Sequence, residues 1–133
     1  MREPIRDKER LQHIIDAINT ILIRVEGMNI EALTADKIVF GGIVYYTMII
    51  GEASYKLTRA FTSRHPEVPW QSIISMRHHI VHGYYQVDAQ ILWSIIQEDL
   101  RPLKAQVEKI LSETNWEDWE QANDDNPYIL YNV

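Results

Sequence analysis

The sequence predicts an all-α fold, a bundle of four main helices, on three observations. Apolar residues recur at steps of three and four along most of the chain, and no stretch shows the two-residue alternation of a half-buried strand. Gly27, Pro66 and Pro69 fall where helices should stop. At 133 residues and 46% hydrophobic content, the chain has material for one sizeable core and too little for two ordinary domains. Residues 1–112 are expected to form the helical domain, and residues 113–133 a short acidic and aromatic C-terminal extension.

Leu11, Ile14, Ile15, Ile18, Ile21, Leu22 and Val25 make the apolar stripe of the first helix, and Gly27 suits its C-terminal stop. After the short "GMNIEAL", Thr34 is expected to cap a second helix, with Asp36 in its first turn, where a carboxylate meets the helix dipole favourably. From Ile38 to Phe61 this segment is apolar on several sides, as the central helix of a bundle would be. Gly41, Gly42 and Gly51 cost helix propensity, so each is expected where another backbone approaches closely or where the helix kinks. "SRHPEVPW" ends the segment, because the residue before a proline is pushed out of helical geometry. A short third helix is expected from about Trp70 to Tyr84, opened by Pro69 and loosening at Gly83. Asp88 caps a fourth helix with the stripe Leu92, Ile95, Ile96, Leu103, Val107, Ile110 and Leu111, bent by Pro102 in the turn before it. The end, "NWEDWEQANDDNPYILYNV", is expected to add a short helix or dock on a neighbour.

The chain has no cysteine, which removes disulfides, zinc knuckles and thiol nucleophiles together and fits a reducing compartment. The amino terminus is highly charged, and no segment reads as approaching the ~20 apolar residues of a membrane span. The expectation is a soluble cytoplasmic protein with no membrane partner. A formal charge of -6 argues against coating nucleic acid by bulk electrostatics. Between Ala53 and His82, however, four bases (Lys56, Arg59, Arg64, Arg77) face one acid (Glu67), so a nucleic-acid substrate is admissible at this centre alone.

That centre holds "SMRHHIVHGYYQVD", Ser75 to Asp88. His78 and His82 are four apart, but the zinc-hydrolase pattern needs a glutamate where His79 stands, and no Glu-x-x-His pair of a bundle di-iron site occurs. No metal and no cofactor are expected. No Gly-x-Ser-x-Gly elbow or phosphate-cradling glycine loop appears either. The plain reading makes Arg77 a salt-bridge residue and the histidines surface or core groups. Against it, on an unbroken helix Arg77 shares its face with Ile73, Ile80, Val81 and Tyr84, and a charge inside an apolar stripe needs a partner.

Arg77, four residues, then His82, Gly83 and Tyr84 resemble the Arg-x-x-x-x-His-x-Tyr signature of the HepT-like ribonuclease toxins, part of the HEPN superfamily of small helical domains. The flanks "GEASYKL" (51–57), "HPEVPWQSIISMR" (65–77) and "VDAQILWSIIQEDLRPL" (87–103) are similar to the family in order and spacing. His78 stands where many relatives have asparagine. The resemblance implies a HEPN-type bundle and metal-independent endoribonuclease activity on RNA rather than DNA, in a homodimer that brings two half-sites together. It implies Arg77, His82 and Tyr84 as catalytic residues, with Glu52, His78 and His79 supporting. It also implies a minimal nucleotidyltransferase antitoxin that transfers AMP to Tyr84. The other reading is a non-catalytic HEPN-type module that binds a nucleotidyltransferase or a nucleotide. Helix phase leaves one difficulty: a separation of five puts Arg77 and His82 about 140° apart on an unbroken helix. Either the arginine reaches round, the helix unwinds before Gly83, or the phosphate sits between motifs of two protomers.

Overall fold

The computed structural model describes residues 5–82 and 86–123, which form helices joined by short connections and one antiparallel pair of two-residue strands. Helix α1 (Asp7–Val25) buries Leu11, Ile14, Ile18, Ile21 and Val25 and is followed by Gly27 at φ 79°, a left-handed position that suits glycine. The segment read as a connection is itself a helix, α2 (Ile30–Ala35), whose N-cap is Asn29, its side chain accepting from the Ala32 amide at 2.9 Å. Thr34 caps nothing; its hydroxyl donates to the Ile30 carbonyl one turn back. Asp36 is not in a first turn but is the N-cap of α3 (Lys37–Tyr55), accepting from the amides of Ile38 and Val39 at 2.9 and 3.2 Å. Asparagine and aspartate make better caps than threonine, and both stand close enough to take the position.

The central helix ends at Tyr55, six residues before Phe61. A tertiary partner explains the early stop. Asp7, fully buried at the start of α1, accepts from the Thr58 amide at 2.8 Å and from the Thr58 hydroxyl at 2.7 Å. The same hydroxyl accepts from the Phe61 amide and caps α4 (Arg59–Arg64). By length and composition α3 is long and apolar enough to cross a membrane, contrary to the expectation from sequence. In the fold it is the spine of the bundle, packed against α1 and, further along the chain, against α5 (Trp70–Ile74) and α6 (Met76–Ile80).

Of the three glycines in α3, only Gly51 meets another backbone. A Cβ there would lie 3.2 Å from the Ile73 carbonyl oxygen, so α3 and α5 touch at this point. Gly41 and Gly42 have nothing within 4 Å on their side-chain side.

The third helix is corrected in two places. It breaks at Ser75 into α5 and α6, and it ends at Ile80, not Tyr84. Val81–His82 (β1) pairs antiparallel with Gln86–Val87 (β2), Val81 opposite Val87 and His82 opposite Gln86, a strand pair the sequence pattern did not suggest. The Ile80 carbonyl, which a continuing helix would have used, accepts the Asp88 amide at 2.7 Å. Gly83, Tyr84 and Tyr85 lie outside the described residues.

Asp88 caps α7 (Ala89–Glu98) as expected, accepting from the Ile91 amide at 3.0 Å. Helix α8 (Leu100–Glu113) follows after a break at Asp99. Pro102 has no N–H and crowds the carbonyl four residues back, which belongs to Glu98, the last residue of α7. The expected bend is a full break. The extension forms α9 (Trp116–Asn123), and it docks: around the buried Phe61 ring lie Trp70 at 6.2 Å, Trp116 stacked at 5.9 Å and Trp119 edge-on at 5.6 Å.

Candidate active site

Helix α6 is five residues long, and its two apolar members, Met76 and Ile80, are four apart and turn inward to the core. Arg77, His78 and His79 between them are therefore presented at the surface, and all three are exposed. Here the structure departs from the sequence reading of Arg77 as a charge within an apolar stripe. The break at Ser75 separates α6 from Ile73, so the stripe of an unbroken helix never forms.

Neighbouring residues on one turn point about 100° apart, and the histidines part company accordingly. Arg77 and His78 form, with Ile74, one wall of a cleft of about 520 Å³. The other wall is α3, through Tyr45, Met48, Glu52 and Tyr55. His79 faces a different cleft, of about 600 Å³, between α5–α6 and the α7–α8 junction, where Glu98 and Asp99 also lie. The contact of Gly51 with the Ile73 carbonyl is what brings the two walls of the Arg77 cleft together. A side chain at that position would push α5, and with it α6, away from α3.

Glu52 thus lies in the same cleft as Arg77. Its carboxylate pairs with Lys56 at 3.7 Å, one turn along α3, and both partners are well exposed, so this bond contributes little. His82 is exposed on β1. Its direction is set by the hairpin and by the Asp88–Ile80 hydrogen bond, not by helix phase, so the 140° separation of an unbroken helix does not apply. Among the described residues, no group of three or more His, Asp or Glu side chains converges as a metal site.

The model of the family described as "Ribonuclease HepT-like" matches residues 14–110. The chain belongs to the HepT-like ribonuclease family. It is 34% identical over 101 residues to a protein of Caldanaerobacter subterraneus subsp. tengcongensis named as an RNase, a match covering 76% of this chain and 90% of that one. A Thermococcus cleftensis protein with the name "Probable ribonuclease HepT" is 34% identical over 103 residues, covering 77% and 94% of the two chains. A protein of Methanocaldococcus jannaschii named as an RNase is 28% identical over 101 residues, covering 76% and 93%. No solved structure matches the chain significantly.

Arg77 and His82, the described residues of the stretch that resembles the family signature, therefore stand on either side of a helix end. Arg77 and His82 are carried by successive elements, and Tyr84 lies outside the described residues. Docked helix α9 lies beyond the stretch matched by the family model. Sequence reasoning missed the α3 wall except for Glu52. A signal was present: Tyr45, Met48, Glu52 and Tyr55 follow one another at steps of three, four and three, which puts them on one side of a helix.

Proposed function

We propose that this HepT-like chain is the toxin of a two-component pair, a metal-independent endoribonuclease that acts in the cytoplasm as a homodimer. A minimal nucleotidyltransferase antitoxin silences it by transferring AMP to Tyr84. The observation that carries the reading is the exposure of Arg77 and of His82, on the successive elements α6 and β1 of a ribonuclease-family chain.

The chemistry follows from the residue types. The RNA 2′-hydroxyl loses a proton as its oxygen attacks the adjacent phosphorus, and the 5′-oxygen gains a proton as it leaves, giving a 2′,3′-cyclic phosphate and a free 5′-hydroxyl. Histidine, whose reference pKa is roughly 6.5, performs either proton transfer near neutrality, and His82 takes this role. The charge that builds up on the phosphorane is met by the Arg77 guanidinium, a permanent cation with a planar donor fork. Glu52 and His78, in the same cleft as Arg77, support it; His79, in the other cleft, is the less direct of the supporting residues. An AMP group on Tyr84 sets bulk and a phosphate charge beside His82 and blocks both access and the arginine.

Homodimerisation is supported by the start of α3, where Ile38 is 86% exposed and the open Gly41 and Gly42 leave room for a second backbone to approach.

The test is incubation of the purified protein with RNA and a chelator. Cleavage that persists supports the enzyme; intact RNA with retained nucleotidyltransferase binding supports the non-catalytic module. Mass spectrometry after co-expression with the antitoxin then reads Tyr84. An inactive complex with unmodified Tyr84 means inhibition by docking alone.

A further inference from the structure

We infer that the α3 wall of the Arg77 cleft is a nucleobase subsite: Tyr45 and Met48 take one unpaired base beside the phosphate held by Arg77, which confines the enzyme to single-stranded RNA. The inference rests on the ribonuclease reading and adds a substrate class to it. The cleft has two chemically different sides. Helix α6 supplies the cation Arg77 and the imidazole of His78, while α3 supplies an aromatic ring and a thioether. A nucleotide has the same division, an anionic backbone and a flat base.

Tyr45 has the features of a stacking platform. It is 59% exposed, so the fold does not use its ring as core. Yet the ring is oriented, because Tyr46 packs against it at 5.2 Å with the planes at 69°. A held, exposed ring next to an arginine is how single-stranded nucleic acids are gripped, with the base stacked and the phosphate paired. Met48, one turn along, is a soft and adaptable neighbour for a second edge of the base. From Tyr45 to Glu52 the wall runs about 10 Å along the helix axis, room for a base and its sugar. A paired base cannot reach such a wall without leaving its own stack.

The test uses a short 2′-O-methylated oligoadenylate, which cannot be cut, together with its abasic counterpart and its duplex with oligouridylate. Binding is measured by fluorescence anisotropy for the wild type, Tyr45→Phe and Tyr45→Ala, with sedimentation of each variant. The wild type is expected to prefer the single strand over both other probes. Tyr45→Ala is expected to weaken single-strand binding by roughly tenfold and leave abasic binding unchanged. Tyr45→Phe should restore the wild-type value. Equal losses on the single strand and the abasic strand, or loss of the sedimenting dimer in Tyr45→Ala, would overturn the subsite and make Tyr45 a seam residue. Cleavage of the unmethylated strand is followed in parallel. Base-dependent binding without cleavage sinks the ribonuclease reading and leaves the subsite; cleavage indifferent to Tyr45→Ala sinks the subsite and leaves the ribonuclease.

Discussion

Arg77 and His82 are exposed, so their side chains contribute little to stability, and the role proposed for them is chemical. Arg77→Ala and His82→Ala are each expected to leave the unfolding free energy within about 0.5 kcal/mol of wild type. Cleavage should fall by at least about a hundredfold, as the loss of a charge stabiliser or a proton-transfer group does. Urea unfolding and a gel assay on RNA check both halves, and a folded variant with normal cleavage refutes the assignment. Asp7 is the opposite case. Buried completely, it holds the amide and hydroxyl of Thr58 at the elbow between α3 and α4. Asp7→Ala is expected to cost about 2–3 kcal/mol, since a buried donor loses a charged acceptor. Chemical denaturation measures it, with cleavage per folded molecule unchanged. Nothing local in the sequence marks Asp7, because its partner stands 51 residues away.

Helices α1, α7 and α8 were legible because each carries a one-sided apolar stripe, and α7 a cap at Asp88. The ends of α3 and α6 were not, because partners outside each helix decide them: Asp7 for the first, Asp88 for the second. Gly51 shows how an element positions the site. Gly51→Val puts a branched side chain against the Ile73 carbonyl, which is backbone and cannot swing aside. The expected result is a loss of about 1–3 kcal/mol from overpacking, together with reduced cleavage as α5 and α6 shift away from α3. Thermal unfolding and the RNA assay report the two effects. Normal activity in the variant would mean that this contact does not set the Arg77 cleft.

For the molecule as a whole, the start of α3 around the exposed Ile38 is an apolar surface for which a second copy is the proposed cover. Ile38→Glu places a charge at its most exposed apolar position and is expected to shift the protein to monomer and suppress cleavage, while the isolated fold keeps its stability. Analytical ultracentrifugation over micromolar concentrations tests this, and a wild-type monomer refutes the composite site. By itself the sequence determined the all-α class, the main apolar faces, the positive centre and the likeness to the HepT-like family. These depend on residue type and short periodic spacing, which the chain carries locally. The tertiary structure alone decided that a helix end separates Arg77 from His82, that His78 and not His79 shares the cleft with Arg77, and that Tyr45 and Met48 form its other wall. Each of these rests on where a helix stops or which helix lies opposite. The Asp88–Ile80 hydrogen bond settles the first and the Gly51–Ile73 backbone contact the second, and the helical periodicity of the sequence encodes neither.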